Sequence, residues 1–293
     1  MFAGYVLVAP AILLFLIMGL ASVVLSIWLA FHHLGQGQLL TSARFAGWDN
    51  FKDFLFGGAP VLSDNFKRAI LHNIYIAVAM IVLVTPLALI LALLLQQLTK
   101  GARLFRTIFL LPMVTSSVAI FYVWQGIYDP SGTLNQILQA VGLDSLVAVN
   151  GWLGETKTAL PSIIVTIVWG AVPGSMILYF AGLQTVDQHL YEAAEIDGAS
   201  AFQKVLHITW PILRPITVIV IIFSLNGAMQ LFDQVWVMTK GGPAGATTVV
   251  NVLVYQEAFV SGDMGRANAM GWTVFVITAI FSLISMRALR DKT

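Results

Sequence analysis

The chain has 293 residues, of which 58% are hydrophobic and only 10% charged, at a mean hydropathy of +0.87. A water-facing globule carries roughly 25% charged residues, so this composition excludes a soluble domain wetted over its whole surface. Net charge is +1, from 15 basic and 14 acidic residues, and cysteine is absent; a basic nucleic-acid face, disulfides, thiolate metal sites and a cysteine nucleophile are thereby excluded.

A helix that crosses a bilayer needs roughly 20 consecutive, mostly apolar residues, because hydrocarbon offers its backbone no partner outside the helix. Six stretches qualify, over roughly 4–31, 69–95, 107–128, 160–185, 212–238 and 267–287, and predict an all-α integral membrane protein, read as a single transmembrane domain over 1–293. The first stretch is longer than the apolar core of a signal peptide, about 7–15 residues, and is read as a span; so few residues precede it that the N-terminus could be trimmed. Between the first two spans, 32–68 sets Trp48, Phe51, Phe54 and Phe56 among Gly and Asp, which predicts a short folded or interfacial element.

His72 and Asn73 open the second span and are expected to be packing or interface groups. Lys100, Arg103 and Arg106 crowd the linker before the third span, and Arg287, Arg290 and Lys292 sit in the tail. Short basic segments favour the cytoplasm, and an even number of spans then places both termini there; Arg44, Lys52, Lys67 and Arg68 in the first loop run against that asymmetry. The 129–159 segment opens with Asp129-Pro130-Ser131-Gly132, a turn sequence, and predicts a short helix from Leu134 to Val141. Trp152 is expected to anchor at headgroup level.

The stretch between the fourth and fifth spans is the most distinctive, Tyr191-Glu-Ala-Ala-Glu-Ile-Asp-Gly198 followed by Ala199 to Pro211. Asp187 is a suitable N-cap for a short helix, with Tyr191, Ala194 and Ile196 as its apolar contacts. Gly198 supplies the left-handed residue that ends such a helix cheaply. A second amphipathic helix would place Phe202, Val205 and Leu206 on one side, and Pro211 and Pro215 re-aim the chain into the fifth span. A short polar helix with small, exposed Ala193 and Ala194 lets another protein approach closely. The alternative is an ordinary loop, with Gly198 a turn and Glu192 a solvated charge.

The spacing Glu192-Ala193-Ala194, three residues, Gly198, nine residues, Ile208, one residue, Trp210-Pro211 resembles the signature loop of binding-protein-dependent ABC importer permeases. Phe45-Ala-Gly-Trp-Asp-Asn-Phe51, Phe105-Arg-Thr-Ile-Phe-Leu-Leu-Pro112, Ala181-Gly-Leu-Gln184 and Leu231-Phe-Asp-Gln-Val-Trp-Val-Met-Thr-Lys-Gly-Gly-Pro243 extend the resemblance to the sugar-permease subfamily of maltose-transporter type. Trp210 departs from it, where Leu is usual. The resemblance implies the type I importer architecture with six transmembrane helices. It also implies a coupling helix, within about 187–210, that uses Glu192, Ala193, Ala194, Asp197 and Gly198 to seat in a cleft of a cytoplasmic ATPase. Further implied are a second homologous permease subunit, two ATPase subunits, an extracytoplasmic solute-binding protein and a bacterial or archaeal cytoplasmic membrane. No Gly-rich, Lys-bearing phosphate loop occurs in the chain. ATP and Mg are therefore expected on the partner ATPase, with no cofactor on this chain and no catalytic role for it.

The family builds its path largely from the fourth and fifth spans. There the resemblance points to Trp169, Gly170, Ala171, Gly174 and Tyr179, and to Asn226, Gly227, Ala228, Gln230 and Asp233. The subfamily resemblance implies a carbohydrate, for which Trp169, Tyr179, Asn226 and Gln230 can supply aromatic faces and hydrogen-bonding side chains; the small residues suit a roomy path or close helix packing. Asp233 is either functional at depth or an outer-interface group reached by water. The dispersed histidines show no metal-ligand spacing. An ion-coupled secondary transporter would need acidic groups or matching broken helices near the midplane, and an intramembrane enzyme a catalytic pair at depth. A structural membrane subunit is compatible with composition but leaves the distinctive loop without a role.

Overall fold

The computed structural model describes residues 2–98 and 101–290. Lys100 and Lys292 lie outside the described residues, as do the side chains of Arg103, Arg106 and Arg290. In chain order, α1 (Phe2–Leu14) and α2 (Ala21–Ala30) are joined by a π-helical turn, Phe15–Leu20. The strands β1 (His32–His33) and β2 (Arg44–Phe45) and helix α3 (Asp49–Leu55) lead to α4 (Pro60–Gln97). Then come α5 (Ala102–Val114), α6 (Ser117–Tyr128), α7 (Thr133–Ala140) and α8 (Ala159–Leu183). After α9 (Gln188–Ile196), α10 (Ala201–Lys204) passes through a π-helical turn, Val205–Thr209, into α11 (Trp210–Ile212). The chain closes with α12 (Arg214–Met229), α13 (Asp233–Met238), α14 (Val250–Phe259) and α15 (Met264–Arg290).

Among the described residues four stretches are long and apolar enough to cross a membrane unbroken: Val8–Ala30, Pro60–Gln97, Ala159–Leu183 and Met264–Arg287. Two bent pairs reach that length and apolarity only when taken together, Thr107–Val114 with Ser117–Ala140 at 105° and Ala201–Ile212 with Arg214–Met229 at 73°, and counting each as one span gives six. The third span is thus not the straight helix that its hydropathy predicts. Pro112 cannot donate to the turn before it, the Thr115 hydroxyl turns back to the Leu111 carbonyl at 2.8 Å, and Thr115 and Ser116 are extended. Small hydroxyl residues that satisfy carbonyls themselves compete with helix propagation.

Contacts gather the chain into two compact units, residues 1–70 with 250–277 and residues 71–249 with 278–293. In the first, the predicted folded element is an antiparallel pair, His32 opposite Phe45 and His33 opposite Arg44, followed by α3. The buried Asn50 side chain ties it down, donating to the carbonyls of Ala30 at 2.9 Å and His32 at 3.1 Å. The turn before α15 is sewn on by Gln36 N–H to Gly262 O at 2.7 Å and Met264 N–H to Leu34 O at 3.0 Å. Arg266 lies against three carboxylates: Asp263 at 2.6 Å, Asp53 at 3.8 Å and Glu257 at 3.9 Å.

The second unit holds the segments of interest. Its main core joins Ala88, Ala92 and Leu95 of α4 with Met176, Tyr179 and Leu183 of α8, and with Leu213 and Val220. A second cluster sets Phe121 and Tyr128 against Met238, with Trp124 and Trp152 packed on it. The Trp152 indole N–H donates to Asn135 Oδ1 at 2.8 Å, because a partly buried indole needs a partner for its polar edge. The turn at Asp129–Gly132 forms as its sequence predicts, with Gly132 N–H on Asp129 O at 2.8 Å, and the short helix after it is α7.

Candidate functional site

Between α8 and α12 the chain builds a small two-helix unit. Asp187, extended, caps α9 by accepting from the His189 N–H at 3.0 Å, which satisfies one of the orphan donors at a helix start. Gly198 at φ +77° ends it, and Ala199 N–H reaches back to Ala194 O at 2.8 Å. A reciprocal capping box opens α10: Ser200 N–H donates to Gln203 Oε1 at 2.7 Å, and Gln203 N–H donates to Ser200 Oγ at 3.3 Å. The Ser-x-x-Gln spacing is the sequence signal for such a box, one that the expectation of an amphipathic second helix did not use.

The side chains are presented as follows. Glu192, Ala193, Asp197 and Gly198 are exposed, whereas Ala194 is half-buried. Glu192 Oε2 stands 3.4 Å from His189 Nδ1. Glu195 pairs with Lys204 across the turn at 2.9 Å; the hydrogen bond and the charge of Lys204 hold its carboxyl below the ordinary glutamate range. Tyr191 is half-buried and its hydroxyl meets Thr209 Oγ1 at 2.7 Å. Ile196 corrects the expectation of an apolar contact within the helix pair, since 87% of it is exposed, and Phe202 is 74% exposed. With α9 only nine residues long and ended at Gly198, the helix pair is too short to cover these two side chains, and the knob carries apolar surface as well as charge.

Where the knob joins α12 the helix bends at Leu213, which is fully buried. Close approach here depends on Gly182 of α8, where a Cβ would overlap the Ile216 side chain and come within 2.8 Å of Leu213 Cδ2.

Of the residues expected on the path, Trp169, Gly170, Ala171 and Gly227 line one cavity of about 330 Å³ between α8, α12 and the start of α6. Ser117, Thr166 and Gln234 contribute polar residues, and Met80, Phe121 and Leu231 apolar wall; Met80, Ser117 and Phe121 come from outside the fourth and fifth spans, to which sequence reasoning was confined. Trp169 also borders a larger apolar cavity of about 810 Å³ bounded by α4, α5 and α8, and it meets Trp124 edge-on at 5.7 Å.

The remaining path residues stand apart from the smaller cavity. Tyr179 is fully buried in the main core, its hydroxyl on Thr217 Oγ1 at 3.1 Å, so its aromatic face is packed and its polar tip is satisfied. Gly174 faces Met113 at van der Waals distance. Asn226 turns back onto its own helix, donating to Ile222 O at 2.9 Å, and Ala228 is fully buried. Gln230 and Asp233 are exposed, at the end of α12 and the start of α13.

The fifth span is broken at 230–232, and Asn73 donates to Ala228 O beside the break at 2.6 Å. Gln125 donates to Val237 O and Met238 O, at the end of α13, at 3.0 Å each. His72 takes up Thr248 O at 2.8 Å. His72 and Asn73 are thus packing groups, as expected, and what they pack against is backbone. Irregular backbone at membrane depth is tolerated only where protein satisfies it.

Three comparisons bear on this arrangement. The sequence profile of the family described as "Binding-protein-dependent transport system inner membrane component" matches residues 84–290. The chain is 37% identical over 225 residues to the "Probable ABC transporter permease protein YurN" of Bacillus subtilis (strain 168), with 76% of each chain covered. It is 30% identical over 296 residues to the "Trehalose/maltose transport system permease protein MalF" of Thermococcus litoralis, covering 99% of this chain and 94% of that one. In solved structures, a chain from a bacterial ABC transporter involved in the import of the acidic polysaccharide alginate has the same fold, with a TM-score of 0.83 over 100% of this chain and 96% of that one, at 24% identity.

Proposed function

The chain belongs to the family of binding-protein-dependent transport system inner membrane components, and from that premise we propose that it forms one half of the transmembrane path of an ABC importer that carries a carbohydrate. The permease role follows from the family; the carbohydrate rests on relatives such as the trehalose/maltose permease protein. In this reading 1–293 works as one permease domain with both termini in the cytoplasm. A second permease subunit faces it, two ATPase subunits hold ATP and Mg, and an extracytoplasmic binding protein delivers the solute. This subunit itself makes and breaks no bonds.

The observation that carries the reading is the knob at 187–210: a short helix capped at both ends, with Glu192 and Ala193 exposed, set directly between two spans that border the cavity. A capped helix keeps its shape when pushed, so an ATPase that closes around nucleotide moves it as a body. The spans then exchange inward-facing for outward-facing, a two-state transition biased by nucleotide on one side and binding protein on the other.

The cavity of about 330 Å³ is at the lower end of ligand sites, roughly 300–1,000 Å³. It is proposed as this chain's share of the path: Trp169 offers an aromatic face, Ser117 and Gln234 offer a hydroxyl and an amide, and the second subunit completes the walls. Asp233, exposed at a helix start, is read as an outer-interface group. The test replaces 188–198 by a Gly/Ser segment of equal length. Co-purification of the ATPase and ATP-driven uptake of the solute held by the cognate binding protein should both be lost; uptake at the unaltered rate would overturn the reading.

A further inference from the structure

One polar bond between the knob and its own base is placed to transmit motion. Tyr191 stands one residue before Glu192 on α9. Thr209 stands at the end of the π-helical turn, one residue before Trp210, which packs against the core of α4, α8 and α12. Four residues beyond Thr209 is the buried Leu213, where the chain bends by 73° into α12. The two hydroxyls meet at 2.7 Å. Thr209 is 1% exposed, and its hydroxyl also reaches the Lys204 carbonyl at 3.4 Å. Either hydroxyl can donate in the pair.

We propose that the Tyr191–Thr209 pair is a positioning brace, which makes α9 and the elbow at Thr209–Leu213 one lever, so that displacement of the knob reaches α12; the inference rests on the permease reading above. Two other links between α9 and the elbow are compliant. One is the turn at Gly198, the residue type freest to change φ and ψ. Another is the Lys204–Glu195 pair, whose Glu195 side chain is mostly exposed; ion pairs of that kind hold geometry weakly. A bond to a buried hydroxyl is different, because Thr209 has no water to turn to when its partner leaves. A π-helical turn beside it adds a residue to the helix without breaking it, a device common at functional sites, and here it brings Thr209 round to face α9.

The test uses the complete importer with cysteine-free partner subunits. This chain has no cysteine, so Gly170→Cys, at a cavity position with open space beyond its Cβ, gives one thiol for a water-soluble maleimide. With Tyr191 and Thr209 intact, ATP and Mg should change the labelling rate as the cavity switches its exposure. Tyr191→Phe and Thr209→Val remove hydroxyls with little change of shape. Each should shrink the nucleotide-driven change about fivefold, the factor that one hydrogen bond sets on an equilibrium, while nucleotide affinity and co-purification of the ATPase stay unchanged. The double variant should lose no more than Thr209→Val alone.

A full nucleotide response in Tyr191→Phe would overturn the brace, as would single losses that add independently. So would a parallel loss of ATPase binding, since the pair would then merely support the fold. An assembled complex with both hydroxyls present that shows no nucleotide response at all would instead sink the permease reading on which the brace depends.

Discussion

Asn73, near the start of the second span, donates its side-chain amide to the Ala228 carbonyl in the fifth span at 2.6 Å, with both residues buried. The acceptor belongs to the last turn of α12, where the helix has no N–H of its own to offer. Asn73→Leu keeps the volume and removes the donor. It should cost about 1–3 kcal/mol, the penalty of an unsatisfied buried carbonyl, and lower the midpoint of thermal unfolding in detergent; an unchanged midpoint would show that the break finds another partner.

Arg266 is the counter-charge for Asp53, Glu257 and Asp263. Arg266→Met leaves three carboxylates together, with Glu257 Oε2 already lacking a hydrogen bond. Loss of about 2 kcal/mol is expected, as for a hydrogen bond to a charged group. The unit of residues 1–70 and 250–277 should become the first to be cut in limited proteolysis, and unaltered cleavage would contradict this.

Gly198 sits at φ +77°, where a Cβ costs roughly 1–2 kcal/mol. Gly198→Val, β-branched as well, should disorder the end of α9 and reduce the ATPase recovered with the purified subunit. Because nothing lies within 4 Å of the position that its Cβ would take, any loss comes from the backbone and not from a clash. Gly198→Asn, which tolerates the left-handed region better, should recover part of it.

Glu195 is held below its ordinary value by Lys204. A carboxylate with a depressed folded-state pKa stabilises above its unfolded pKa of about 4.3, and this contribution fades as pH falls through the folded value. Lys204→Gln should therefore move the Glu195 titration, followed by carbon-13 NMR of labelled protein in nanodiscs, back up towards that ordinary value. At neutral pH both forms are ionised and the knob's shape should be the same.

Gly170 and Gly227 both line the smaller cavity. Trp at either position would occupy much of its volume, so uptake of the solute held by the binding protein should fall at least about tenfold, which corresponds to roughly 1.4 kcal/mol in the transition state. Gly174, outside that lining, is the control: Gly174→Trp presses on Met113 and should act through stability. Equal uptake in all three variants would remove the cavity from the path.

Much of the architecture was legible because long apolar runs have few alternatives in a bilayer. The Asp187 cap and the Gly198 stop were legible too, since both are local rules of backbone chemistry. The kink at Thr115–Ser116 was not, because hydropathy averages over a bend that keeps every residue apolar or small. Tyr179 was misplaced for a related reason: an aromatic residue with a hydroxyl suits a solute and a core equally, and only Thr217, 38 positions away, decides between them. Gln125 gave no local signal at all, because what it satisfies are carbonyls more than 110 positions along the chain.

The interruption at 230–232 also bears on the order in which the molecule is put together. The Ala228 carbonyl beside it finds its donor on Asn73, 155 positions earlier in the chain, so the break is satisfied only once α4 and α12 have met. A joint of this kind is a product of tertiary packing, and its geometry is inherited from the spacing of two helices and not from local sequence.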